Sequence, residues 1–134
     1  MTEITDTTTE SVAAFLDRYA RALSEIDLDA LVDCYHYPAL AVTRRGCQAV
    51  SDPAQTREFF AANGAAYKAR GIDAVRITNP RPAYDEDGLW VGLADLENLD
   101  ADGRHVGTEH NAYQLLRGAD GRWRIVVTTP LDVH

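Results

Sequence analysis

Histidine has an ordinary pKa of ~6.5, which suits proton transfer near neutral pH, and two of the chain's four histidines sit where that chemistry has a use. His36 directly follows a short helix and can enter a pocket as a general base; the plainer role there is to bond the helix C-terminus, whose dipole favours the cation. His110 falls in the middle of a strand, so it either lines a pocket or is satisfied by a partner in the sheet. His105 and His110 are an odd number of residues apart, so a regular strand turns them to opposite faces. A two-histidine metal site would need a bulge at Gly107, and no metal is expected. Asp95 and Glu97 share a face and can divide acid and base work if burial raises one pKa. A solvated strand end before a turn explains that pair equally well. Arg44, ending a short strand, can hold an acidic ligand or a surface ion pair. Neither Cys34 nor Cys47 has a local base, and the chain has no GxSxG or glycine-rich phosphate loop, which argues against covalent catalysis and nucleotide binding.

The elements that position these residues divide the chain in two. The first half is helical. Thr7 and Glu10 are spaced as a capping box, and Val12, Phe15, Leu16, Tyr19 and Leu23 form one apolar stripe. Asp27 caps a second helix whose buried face is Leu28, Leu31, Val32 and Tyr35, and Pro38 prevents its continuation. Ala39 to Arg44 reads as a short strand. Asp52 and Pro53 open a third helix that carries Phe59, Phe60, Asn63 and Tyr67 inward, and Gly71 stops it. Phe59 and Tyr67 are thereby candidate ligand contacts.

Three Asp-Gly pairs, at 87–88, 102–103 and 120–121, then separate runs rich in strand formers, and each predicts a type I′ hairpin turn. The strands are expected over 72–84, 89–99, 104–117 and 122–129, the first held to an edge or a bulged stretch by Pro80 and Pro82. Strands this long twist and bend, and Gly92 and Gly107 inside them mark bulges or sharp bends. Helices followed by an antiparallel meander make an α+β fold. A curved sheet around a helix leaves an open end that is a natural place for a small ligand. Trp90 is a candidate for lining it; Trp123 reads as packing.

The 134 residues match one ordinary domain, with residues 1–8 frayed and 9–134 folded. A net charge of −8 disfavours nucleic-acid partners. The polar, Thr-rich start and the lack of a long apolar run predict a protein of the cytoplasm without a membrane span. Two isolated cysteines are expected to stay reduced.

The stretch from Phe15 to Ala39, "FLDRYARALSEIDLDALVDCYHYPA", with "DPAQTREFF" and the closing "GRWRIV", resembles the nuclear transport factor 2-like superfamily, in particular its ketosteroid isomerase and SnoaL-like polyketide cyclase branch. The resemblance covers nearly the whole chain. It implies a cone-shaped, curved antiparallel or mixed sheet wrapped around the N-terminal helices (a cystatin-like α+β barrel), an apolar pocket, a homodimer joined through the outer sheet face, and no cofactor. It places Tyr19 at the family's oxyanion-stabilising tyrosine. It places Thr43 where the isomerases carry their aspartate base, and a hydroxyl cannot take a carbon-bound proton at neutral pH, which disfavours steroid-type isomerisation. Asn111 or Ala112 falls near the family's second oxyanion donor, and of these only Asn111 can donate. The leading reading is a SnoaL-like protein that binds a small, largely apolar molecule and performs acid–base chemistry (isomerase, cyclase, dehydratase or hydrolase type). Tyr19 would stabilise an oxyanion and His36 or His110 would move the proton. The alternative is a non-catalytic binding or dimerisation module.

Overall fold

The computed structural model describes residues 9–132. Two helices, α1 (Val12–Glu25) and α2 (Leu28–Asp33), precede a hairpin of β1 (Tyr35–Thr43) and β2 (Gly46–Val50) and a third helix, α3 (Pro53–Ala69). A meander follows: β3 (Ala74–Glu86), β4 (Leu89–Leu99), β5 (His105–Arg117) and β6 (Trp123–Pro130). All six strands form one sheet in the order β2-β1-β6-β5-β4-β3, antiparallel except where β1 runs parallel to β6. Its outermost strands, β2 and β3, do not pair, so the sheet curves without closing.

Ser11 caps α1, its Oγ accepting from the Ala14 N–H at 3.0 Å, and Ile26 ends it with φ at 52°. This corrects the expected capping box: Thr7 lies outside the described residues, and Glu10 precedes the helix. The Glu10 carboxylate instead accepts from Arg18 Nε at 2.8 Å, Arg18 Nη2 at 3.0 Å and the Trp123 N–H at 2.9 Å. Asp27 caps α2 through the Ala30 N–H and Asp52 caps α3 through the Gln55 N–H, as read. Tyr35 is not on a helix. The Cys34 carbonyl accepts from the Ile125 N–H at 2.8 Å, and pairing with β6 takes over there, so β1 starts four residues before the expected strand and runs through Pro38.

β3 is an edge strand whose register shifts on either side of Arg81 and Pro82, as its prolines require. At Gly92 a Cβ would sit 2.5 Å from the Arg81 carbonyl oxygen and 2.9 Å from Pro82 Cα, so the bulged stretch of β3 crosses there only because no side chain is present. A shift between Asn98 and Leu99 places another bulge near Gly107.

Of the three Asp-Gly pairs, only Asp87-Gly88 has positive φ at both residues, 53° and 80°. The other two are corrected. Only Gly103 and Gly121 are left-handed there, and their N–H groups donate back to the Asp100 and Gly118 carbonyls at 3.0 and 2.9 Å. Each is a type I turn closed by a left-handed glycine, the form of a longer hairpin loop. Asp100 stabilises its loop by accepting from the Asp102 and Arg104 N–H groups.

Burial alternates strictly along β4, with Trp90, Ala94, Leu96 and Asn98 on its buried face. Phe15, Leu16, Tyr19 and Leu23 of α1 meet Leu115, Trp123 and Ile125 from the sheet in a continuous core. No described helix is long and apolar enough to cross a membrane.

Burial opposes ionisation of Glu10, but the Arg18 side chain and the Trp123 N–H outweigh it and hold the carboxyl below its usual value. A depressed carboxyl contributes stability that is present above the unfolded pKa and lost as pH falls through the folded one. Glu10→Gln should therefore cost about 1.5–3 kcal/mol at pH 7. In urea titrations its deficit against wild type should shrink steadily below pH 4.5, the ordinary value, as the native carboxyl protonates.

Candidate functional site

A cavity of about 540 Å³ opens between α1, α3, the β1–β2 hairpin and the inner face of β5 and β6. Its aromatic walls come from Tyr19 of α1, Tyr35 of β1, and Phe60 and Tyr67 of α3; its polar groups include Glu109 and Asn111 of β5. Each side chain is placed by element periodicity. Tyr19 belongs to the buried stripe of α1. Phe60 and Tyr67 are seven apart, two turns along α3 and on one face. Glu109, Asn111 and Tyr113 are alternate residues on the inner face of β5.

Two hydrogen-bonded groups stand out on its polar surface. In the first, the Tyr19 and Tyr35 hydroxyls share a hydrogen bond of 2.9 Å. Desolvation by burial raises both phenols well above their ordinary range, so both keep their protons at neutral pH. Beside them Asn111 Nδ2 donates to the Tyr113 hydroxyl at 2.8 Å, and the Tyr19 and Tyr113 rings meet edge to face with centroids 6.2 Å apart. Asn111 Oδ1 is buried and has no partner among the described residues.

The second group is centred on Glu109. Its Oε2 accepts from the Tyr67 hydroxyl and from Asn98 Nδ2, the latter at 2.9 Å, and Oε1 has no hydrogen bond among the described residues. Burial first, then the bond to Glu109 and its charge, raise the Tyr67 phenol, so Tyr67 is a donor here. The arrangement offers a carboxylate with one open oxygen in a mainly aromatic cavity, near hydroxyls that stay protonated. That is the equipment of proton transfer with stabilisation of a developing oxyanion.

The expected site residues separate into two sets. Tyr19, Thr43, Phe59, Tyr67 and Asn111 line the cavity. Phe59 does so at its mouth, 62% exposed, and the Thr43 hydroxyl accepts from the Arg45 N–H at 3.1 Å. The other four do not line it. His36 is in β1, where its Nδ1 bonds the Pro38 carbonyl at 2.8 Å. His110 has the opposite parity to Glu109 and Asn111 and lies on the outer face, with Nδ1 3.1 Å from Asp132 and Nε2 4.0 Å from Asp95. Trp90 is packed in the core, 2% exposed. Arg44 is in the β1–β2 turn, and its neighbour Arg45 reaches the cavity instead.

Asp95 and Glu97 face outward and are taken up by ion pairs with Arg81 and Arg76. Among the described residues no group of three or more His, Cys, Asp or Glu side chains is placed to hold a metal ion, and Cys34 and Cys47 are not bridged. Glu109 lines the cavity and was not among the residues expected there. The signal was present, because it is two residues before Asn111 and must share its face.

A family model described as NTF2-like protein (DUF6841) matches residues 9–133. No curated protein matches the chain. Among solved structures, a protein of unknown function with a cystatin-like fold from Nostoc punctiforme superposes with a TM-score of 0.71 at 12% identity, covering 92% of this chain and 94% of that one. An NTF2-like protein with a cystatin-like fold from Novosphingobium aromaticivorans gives 0.67 at 16% identity over 87% and 76%. A nuclear transport factor 2 (NTF2-like) superfamily protein from Salmonella enterica gives 0.59 at 14% over 87% and 84%. At these identities the likeness concerns the fold.

The cavity wall has unequal members. Phe60 is 5% exposed and touches Tyr35, whereas Phe59 is largely in solvent. Phe60→Ala should cost about 3–5 kcal/mol in chemical denaturation, and Phe59→Ala under about 1 kcal/mol.

Proposed function

Since the chain belongs to the NTF2-like (DUF6841) family, whose fold suits small-molecule binding or catalysis, we propose that it binds a small, largely apolar molecule in the cavity and moves a proton on it, in the manner of the SnoaL-like branch. The observation that carries this reading is Glu109: a carboxylate inside an aromatic cavity, fixed through one oxygen and open at the other. Glu109 takes the role first sought in His36 or His110. Its Oε1 removes a proton from carbon beside a carbonyl, and the electron pair moves through the new C=C bond onto the carbonyl oxygen. The Tyr19–Tyr35 hydroxyl pair stabilises that oxyanion. The proton then returns to a different atom, completing an isomerisation, or a leaving group departs, completing an elimination.

A substrate-independent test is solvent exchange. Small cyclic ketones and hydroxyketones incubated with the protein in D2O should gain deuterium beside the oxygenated carbon, read by NMR. Glu109→Gln should slow this at least about 100-fold, with Tyr19→Phe slower than wild type and still folded. Ligands that bind without exchange would support the non-catalytic alternative, which Thr43 at the family's usual base position favours.

The homodimer belongs to the same proposal. Val91, Leu93, Ala112 and Val127 lie half-buried on the sheet face away from α1, an apolar patch suited to a second copy of the chain. Leu93→Glu should shift the light-scattering mass from dimer to monomer without loss of far-UV signal; an unchanged mass would remove this interface. The two unbridged cysteines fit a reducing compartment, and a cytoplasmic location completes the reading.

A further inference from the structure

The hydrogen bonds left open in the cavity specify the ligand's polar group. Tyr19 and Tyr35 have two hydroxyl hydrogens between them. One is used in their mutual bond, and the other has no acceptor among the described residues. Both tyrosines are buried, at 4% and 7% exposure. An unspent donor therefore lies on the cavity wall. Asn111 is the converse: its Nδ2 is committed to Tyr113, while Oδ1 is a buried acceptor with no partner among the described residues, on a side chain 8% exposed that lines the same cavity. Burying such a group unpaired is unfavourable, and a cavity ligand can supply what is missing.

The donor and the acceptor line one cavity and are linked through Tyr113, whose ring meets that of Tyr19 and whose hydroxyl holds the Asn111 amide. A ketone or ether oxygen accepts only and leaves Asn111 Oδ1 unsatisfied. An ammonium group donates only and leaves the tyrosine hydrogen unsatisfied. A hydroxyl does both. We propose that the ligand of this cavity is an alcohol or enol on an apolar frame, its hydroxyl accepting from the Tyr19–Tyr35 pair and donating to Asn111, which makes Asn111 the specificity-determining residue. This rests on the cavity being the binding site and adds the chemical class of the ligand.

The test uses one bicyclic frame with three polar groups: 2-tetralol, its methyl ether and 2-tetralone, titrated against the full chain by calorimetry. The alcohol should bind at least tenfold more tightly than either the ether or the ketone. In Asn111→Leu the alcohol's advantage over the ether should fall to about twofold or less, with the ether's own affinity nearly unchanged. Equal affinities for the three in wild type overturn the proposal whether or not the variant folds, and that comparison leaves the binding site itself standing if Phe60→Trp, which fills the cavity, abolishes all three. A ketone that outbinds the alcohol also overturns it, because the amide would then be presenting Nδ2. An alcohol preference that persists in Asn111→Leu removes Asn111 as its source. If none of the three binds at its solubility limit, the binding-site reading falls together with this one.

Discussion

The cavity exists because α1 is fastened to the sheet at both ends and covers only part of it. Arg18, midway along the helix, binds Glu10 just before its N-terminus through two nitrogens and donates from Nη2 to the Trp123 carbonyl at 3.0 Å. Trp123 returns its own N–H to the Glu10 carboxylate and its indole N–H to the Glu10 carbonyl. At the C-terminal end the Ser24 hydroxyl oxygen accepts from the Val75 N–H at 2.8 Å. The helix is thus tied to β6 at one end and to the edge strand β3 at the other. Charge-assisted bonds hold geometry more strongly than neutral ones, so the helix crosses the sheet along a fixed line. The side chains on that line fill the core, and the part of the inner face nearer the β1–β2 hairpin is left for α3 to roof over.

The roof does not fill the space beneath it. α3 sends Thr56, Phe60 and Tyr67 inward, while most of its other side chains stay in solvent. The hairpin is no tighter a seal: Gly46–Val50 is mostly exposed and pairs only with β1. Enclosure on this side depends on a few aromatic rings, which is the composition expected where a ligand completes the packing.

Much of this was legible because the signals were local and repeated. Asp27, Asp52 with Pro53, and the stripe from Val12 to Leu23 each specify a helix by capping and period together, and β4 was readable to the residue from its alternation between two glycine-bearing turns. What failed needed a partner to be known. Tyr35 is four residues from Leu31, so helical spacing claimed it, but the Ile125 N–H bonds the Cys34 carbonyl and sets Tyr35 beside Ile125 as strand. β2 is five residues long and mostly exposed, with no periodic pattern of its own, and its pairing is with β1. The site divides the same way. The family correspondence led to Tyr19, Thr43 and Asn111, all of which line the cavity, whereas choosing histidines by their ordinary pKa ignored the parity that sends His110 outward and brings Glu109 in.

The arrangement around Glu109 runs against the interest of stability. Asn98 is 1% exposed, and its amide must turn Nδ2 toward the carboxylate, which leaves Asn98 Oδ1 buried without a partner among the described residues. Asn111, two residues along β5, is in the same condition. An unpaired buried acceptor costs about 1–3 kcal/mol, a large share of what a domain of this size has to spare. An apolar residue at either position would avoid that cost and pack as well. Two such asparagines beside one carboxylate are therefore hard to explain by folding alone. Asn98 becomes intelligible if the carboxylate has to be held in a set orientation, and Asn111 if something outside the chain supplies the missing hydrogen. Local rules broken at both positions are the pattern expected where a site, and not the core, sets the residue types.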